Sequence, residues 1–400
     1  MKTFVKLFFI FLTIISLTGC GKKPESHIEI EFWTLQLNDF TPFIEHLIGE
    51  YEQAHPNIKI KWIDIPFSEG EKRTLSAVMS DDVPDVVNLN PSFASVLQQK
   101  QALSTIKGDF EDIYVSPALN LCRQNGEYYA IPWYLTSSVT IYNKDIVSKA
   151  GFNIPPNSYS QVLPFAEKVK QKTQKYAFMP NLAEDGKMLK ILAKQGVGLD
   201  EFFISEKTVK NYELFKMLFE QNLIPKGSIN QTHRDSLEKY MSGDLAFLEA
   251  GANFLRTISQ NSPDVYKKTD IAPQMNLNEG IVDISLMNLI IPIKSKHPKE
   301  AADFAFFITN PKNQLEFCKL APVLPSTKDT FKDEFFTKNN SLIDKGRKIS
   351  AEQVKRAKTS SKIYSNQKQI NEVVDFTTQV ILLDKKPVKD ALLEGQKALK

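Results

Sequence analysis

From residue 28 onward the spacing of hydrophobic positions switches repeatedly between two periods. Ile28, Ile30 and Phe32 alternate with Glu29 and Glu31, the period of two that marks a strand with one buried face. Phe43, Ile44, Leu47, Ile48 and Tyr51 then recur at helical spacing up to His55-Pro56-Asn57, where proline cannot continue a helix. Ile58, Ile60 and Trp62 alternate again, residues 69–79 read as a second helix, and Pro84-Asp85-Val86-Val87 opens a short buried strand. This β-α-β-α-β order predicts an α/β lobe with a largely parallel sheet, whose ligand side is formed by the loops at the carboxyl ends of its strands. Residues 33–38 and 88–92 are those loops.

Gly126 suits the turn of a hairpin leading into residues 128–132, and residues 139–142 read as the next strand. The rhythm then changes. Residues 143–156 are rich in turn formers and helical periodicities follow at 162–169, 188–194 and 209–219, so a second lobe is expected to begin there. Residues 244–248 form a buried strand running on to Gly251, residues 284–292 another, and residues 298–308 a helix. Helices dominate the remainder. The absence of any repeat with a fixed period excludes solenoids and propellers.

Composition narrows the function classes. Apolar residues make up 42% of the chain, ample for real cores, and 400 residues exceed what one core usually serves. The net charge of +3 falls to about +1 without Lys2 and Lys6, too little for an electrostatic nucleic-acid surface. Besides Cys20 there are only Cys122 and Cys318, each in an apolar stretch; two buried free thiols are the expected state, and one bridge stays open as the alternative. His27, His46, His55, His233 and His297 are scattered singly, without the short spacing of metal ligands, and no cofactor is expected.

The N-terminus carries a location signal. Lys2 and Lys6 flank the start of an apolar run over residues 7–17 that closes on Leu17-Thr18-Gly19-Cys20, an order that resembles a bacterial lipoprotein signal cut before its cysteine. The resemblance implies a signal peptide over residues 1–19, diacylglycerol on the Cys20 thiol and a short polar tether over residues 20–27. The run is too short for a comfortable membrane span, which needs about 20 apolar residues; an uncleaved N-terminal helix is the alternative.

Several stretches further on are similar to the extracellular solute-binding proteins of ABC importers, in particular the family of sugar- and maltodextrin-binding proteins. They are Phe32-Trp33-Thr34, residues 51–60, residues 83–87, Tyr129-Ala130-Ile131-Pro132-Trp133, Ile141-Tyr142-Asn143-Lys144-Asp145-Ile146 with Lys149-Ala150-Gly151-Phe152, residues 243–247, and the run from Leu289 to Pro325. The resemblance implies an α/β, two-lobe periplasmic-binding-protein-like fold of type II, each lobe a mostly parallel sheet flanked by helices. Chain crossings would fall near residues 132–138, 283–285 and Phe331. Lobe one would take residues 28–135 and 285–332, and lobe two residues 136–284 and 333–400. It further implies a monomeric binding protein, not an enzyme, lipid-anchored outside the cell membrane. Such a protein captures a sugar or polyol between the lobes and presents it to the transmembrane subunits of an ABC permease. Presentation to a sensor and a solute such as glycerol phosphate remain alternatives. The chain departs from the family pattern at Ser285-Leu286, where a glycine pair is common, and at Asn253, where tryptophan is common.

A saccharide presents weakly apolar C–H faces and many hydroxyls, so its site needs aromatic plates and amides or carboxylates. Trp33, Trp133, Tyr134 and Phe254 are the candidate plates; Gln36, Asn38, Asn88, Asn90, Asn181, Glu184, Asn253 and Ser285 are the candidate polar groups. Trp133, at a predicted strand end entering the hinge, is expected to wall the site, whereas Trp62 lies within an alternating strand and is expected in the core. Lys345, Arg347, Lys348, Lys355, Arg356, Lys358 and Lys362 read as a solvated helical face. Gly-x-Ser-x-Gly, His-Glu-x-x-His and phosphate-loop signatures are all missing, and only a paired-carboxylate hydrolase stays open among enzymes.

Overall fold

A computed structural model of the chain describes residues 27–276, 280–357, 359–360, 364, 366–384 and 386–399. The signal peptide, Cys20, the tether up to residue 26, Lys358 and Lys362 lie outside the described residues.

The alternating segments at the start become strands β1 (Ile28–Leu35) and β2 (Ile58–Ile65), paired in parallel along their whole length. Between them α1 (Thr41–Ala54) buries Phe43, Ile44, Leu47 and Tyr51 on one face. It stops where the His55 N–H bonds the Tyr51 carbonyl and Pro56 follows. After β2, α2 (Phe67–Met79) leads to β3 (Val86–Leu89), parallel to β1 on its other side. Asn90 then caps α3 (Pro91–Gln99), its Oδ1 accepting from the Phe93 N–H. The predicted hairpin joins β4 (Arg123–Gln124) to β5 (Glu127–Tyr128) through Asn125 and Gly126, at φ 52° and 86°, the left-handed pair that a two-residue hairpin turn demands.

The strand expected over residues 139–142 is the second half of one long strand, β6 (Ala130–Asn143). Its first half pairs antiparallel with β10 (Ile284–Ile290) and β11 (Leu324–Pro325). Its second half pairs with β7 (Phe247–Gly251) and β8 (Thr269–Pro273). β10 also pairs antiparallel with β3, so the first sheet runs β11-β6-β10-β3-β1-β2 and continues into the second through a single strand. β2, β1, β3 and β6 point one way, β10 and β11 the other. β9 (Ile281–Val282) precedes β10 across Asp283, whose carbonyl accepts from the Ser138 N–H, so β6 and the returning chain are stitched together between the sheets.

Helices cover both faces of both sheets. On the first, α1 packs with α9 (Pro298–Ile308) and α10 (Pro311–Leu320) in a core that contains Phe32, Trp133, Phe304 and Phe317. On the second, α4 (Val162–Thr173), α5 (Lys187–Ala193), α6 (Glu206–Glu220), α12 (Gln367–Leu383) and α13 (Val388–Ala398) share a core around Phe165, Phe178, Phe215 and Phe247. Its other face carries α7 (His233–Met241) and α8 (Phe254–Asn261), packing through Leu237, Tyr240, Leu255 and Ile258. α11 (Leu342–Arg356) spans both sheets: Ile349 packs near Leu255 and Ile271 on the second, while Ala351 and Val354 join the first sheet's core beside Leu286 and Phe331. Cys122 and Cys318 are free and buried, and burial pushes the Cys122 thiol up to about 12.

Candidate binding site

Two chains of contacts meet along β6. The first comes from the carboxyl ends of β1 and β2. Asp64, next to last in β2, accepts from the Thr34 hydroxyl at 2.5 Å and from the N–H groups of Leu37 and Asn38 at 2.9 and 3.1 Å. This carboxylate holds the turn after β1, in which Gln36 adopts φ 53° and stands exposed. Tyr134 lies half-buried edge-on to Trp133 and Phe317, with centroids 5.1 and 5.2 Å away. Burial, reinforced by the charge on Asp64, holds its hydroxyl above the usual phenol range and therefore neutral, able both to donate and to accept.

The second chain comes from the other sheet. Exposed Ser285 pairs with Thr136 across β10 and β6. Gly251 ends β7, and a Cβ there would clash with Asn253 Oδ1 and stand 3.8 Å from Thr136 Cβ, so the Asn253 amide folds back over the strand end. Phe254 is partly exposed and its ring lies 6.3 Å from that of His233. His233 in turn meets Glu184 twice, through its backbone N–H at 2.9 Å and its Nδ1 at 3.1 Å. Ser285, Thr136, Asn253, Phe254, His233 and Glu184 thus form one continuous partly exposed line. Asn90 stands apart from it, with its Nδ2 donating to Glu71 at 3.0 Å.

Four predicted site residues belong to the interior instead. Trp133 is only 1% exposed and packs among Phe32, Tyr134 and Phe317, because the alternation of β6 turns it toward the helices; it is core, not cleft wall. Trp33 faces the α2 side, its indole N–H donating to Glu31 at 2.7 Å and the Arg73 guanidinium 5.6 Å above its ring. Asn88 is wholly buried in a strand covered on both faces, donating to the Asn288 carbonyl at 3.2 Å. Asn181 uses its amide internally: Nδ2 donates to the Gln231 carbonyl at 2.8 Å and Oδ1 accepts from Ser236 at 2.7 Å, which ties its loop to α7. Trp62, expected in the core, is half-buried on the sheet's edge strand and donates to Thr34 Oγ1 at 2.8 Å.

Sequence reasoning also passed over a charged cluster where α5 meets the ends of β7 and β9. Lys194, 2% exposed, faces Glu249 at 3.5 Å, and Tyr159 donates to the same carboxylate at 3.3 Å. Lys187 and Lys190, three residues apart and seven and four residues before Lys194, share its helix face, and burial lowers Lys187. Burial alone would raise the Asp283 carboxyl, but Lys194, Lys187 and Lys190 together hold it below its ordinary range. Close by, the Gly186 N–H donates to Asp375 on α12 at 3.1 Å; burial and the nearby charge of Asp185 nevertheless raise Asp375 to about 6. The legible signal was the 187, 190, 194 spacing. Phe67 was missed as well: it opens α2 directly after β2 and is 53% exposed.

The sequence model of the bacterial extracellular solute-binding proteins matches residues 36–315. The chain belongs to this family. This solute-binding protein is 24% identical, over 71% of its length and 68% of the relative's, to an arabinooligosaccharide-binding protein of Halalkalibacterium halodurans. It is 21% identical to a multiple sugar-binding protein of Streptococcus mutans, covering 81% of this chain and 86% of that one. Among solved structures, a Synechococcus protein assigned to the oligosaccharide periplasmic-binding proteins superposes with a TM-score of 0.84 at 29% identity, over 92% of this chain and 97% of that one. The sugar-binding protein MalE of Xanthomonas citri shares the fold, with a TM-score of 0.79 at 20% identity over 92% and 96%. The two-lobe type II architecture of the solute-binding protein is therefore the one that the family resemblance implied.

Proposed function

We propose that this chain is a lipid-anchored substrate-binding protein that captures a sugar or oligosaccharide between its lobes and delivers it to an ABC permease. In this reading residues 28–135 and 285–332 form lobe one and residues 136–284 and 333–400 form lobe two. The hinge is made by β6, by Asp283 and by the segment from Phe331 into α11. The site consists of Gln36, Tyr134 and Ser285 from lobe one, with Glu184, Asn253 and Phe254 from lobe two and Asn90 at its margin. One observation carries the proposal: the partly exposed line from Ser285 through Asn253 and Phe254 to Glu184, joined at β6 to Tyr134 and Gln36, combines aromatic faces with amide and carboxylate oxygens. That mixture suits hydroxyl-rich ligands with apolar ring faces, and sugar-binding relatives support the class. Closure around the ligand is the signal that the permease reads.

A thermal-shift screen over monosaccharides and arabino-, malto- and related oligosaccharides tests this. A ligand at a hundred times its Kd stabilises a fold by about 2.7 kcal/mol. A hit is expected among neutral or acidic saccharides; stabilisation only by non-saccharide solutes such as polyamines or peptides would overturn the reading.

A further inference from the structure

A cavity of about 130 Å³ lies where the two sheets join, lined by Thr136 and Ser137 of β6, by the start of α8, by the end of α10, and by Phe335 and α11. Its charged lining residues are Arg256, Lys319 and Arg347, with no carboxylate among them. The three differ in state. Arg347 is fixed and neutralised: it pairs with Asp344 at 3.0 Å, donates to the Phe335 carbonyl at 2.9 Å and stacks 3.7 Å over the Phe335 ring. Arg256 on α8 and Lys319 in the last turn of α10 are exposed and are left out of the ion pairs formed among the described residues. They come from helices packed on different sheets and border the same cavity from its two sides.

A second observation points the same way. Ser350, 3% exposed, lines this cavity and its hydroxyl has no hydrogen-bond partner among the described residues. A buried hydroxyl left unpaired is unfavourable by about 1–3 kcal/mol, and a ligand atom entering from the cavity would relieve it. The backbone does not oppose an anion on balance. The carbonyl end of α10 is partly negative, but Lys319 offsets it, and the positive end of α8 enters the same space without a side-chain cap.

We propose that this cavity binds an anionic group, phosphate or carboxylate, held between Arg256 and Lys319 with the Ser350 hydroxyl donating to it. The group is either a free inorganic anion or the acidic end of a bound saccharide. Because it bridges helices of the two lobes, its occupancy favours closure. The inference deepens the saccharide reading and rests on it where the anion is the ligand's own group, since Thr136 and Asn253 of the line proposed for sugar also border this cavity, whereas Arg256, Lys319 and Ser350 lie outside that line.

The test is titration calorimetry at constant ionic strength with inorganic phosphate, sulfate, glucose 6-phosphate and galacturonate, with glucose and galactose as neutral controls. Wild type is compared with an Arg256→Gln/Lys319→Gln variant and with Ser350→Ala. Binding of phosphate or sulfate alone identifies a free anion; binding of the acidic sugars with no response to inorganic anions identifies the ligand's own group. In either case the double variant should bind at least tenfold more weakly and Ser350→Ala several-fold more weakly, with circular dichroism unchanged. No binding of any anion by wild type, or equal binding by the folded double variant, overturns the proposal. Neutral saccharide binding, measured on the same three proteins, reports separately on the sugar site.

Discussion

Two tryptophans depart from the places that their spacing suggests, Trp133 standing in the core and Trp62 half-buried on the edge strand. Trp133→Ala would open a cavity among Phe32, Tyr134 and Phe317, so a loss of about 3–5 kcal/mol is expected in urea unfolding. Trp62→Ala removes an edge-strand ring and one bond to Thr34, and a smaller loss, about 1–2 kcal/mol, is expected in the same assay. Equal losses would contradict the burial difference. At the proposed site the expectation is reversed. Phe254→Ala and Glu184→Gln should leave the melting temperature of the unliganded protein nearly unchanged, yet weaken a saccharide found by screening at least tenfold, about 1.4 kcal/mol. A folded Phe254→Ala variant with unaltered affinity would remove its ring from the site.

Between elements, charge rather than apolar packing distinguishes the contacts around α5. Lys194 and Glu249 are both nearly inaccessible, so Glu249→Gln would leave the lysine buried beside a weaker partner. A loss of about 3 kcal/mol is expected, with most of it recovered in a Lys194→Met/Glu249→Leu double variant, because apolar replacement of a whole buried pair is close to neutral. A double variant as unstable as the single one would sink this account. Asp375 on α12 gives a pH signature. Its folded value of about 6 lies above the ordinary carboxyl value near 3.9. The folded chain therefore keeps a proton that the unfolded chain has released between about pH 4 and 6. Stability from this group is full below that window and falls as pH rises through it. Solvent screening at the partly exposed carboxyl limits the effect to about 1–2 kcal/mol. Asp375→Asn, which preserves an acceptor for the Gly186 N–H, should flatten this part of the stability profile and melt higher than wild type above pH 6.

For the whole molecule, β6 is the mechanical link, since one strand belongs to both sheets and the chain returns beside it at Asp283. Small-angle scattering should show a smaller radius of gyration at saturating saccharide; an unchanged radius from a demonstrably open unliganded form would remove closure as the signal. At the N-terminus, Cys20→Ser should abolish lipid labelling and cleavage before residue 20. A mature wild-type protein that retains Met1 and carries no lipid would refute the anchor.

Much of the fold was legible from spacing alone. The alternation of residues 28–32 and 58–62, the helical periodicity of residues 43–51 and the turn at Gly126 reappear as β1, β2, α1 and the β4–β5 hairpin, because each depends on contacts within a short stretch. The continuity of β6 was hidden, since polar Thr136, Ser137 and Ser138 interrupt its apolar pattern at the place where pairing passes from one sheet to the other. Of the candidate site residues, Glu184, Asn253, Phe254, Tyr134 and Gln36 lie at partly or fully exposed positions, as a ligand site requires, whereas Trp33, Asn88, Trp133 and Asn181 have the right chemistry but face inward. Residue type and period thus determined the elements and their order. Which side of a strand met helices, and which carboxylate met Lys194 across the fold, was decided only by tertiary packing, because a side chain's exposure depends on partners distant in the sequence.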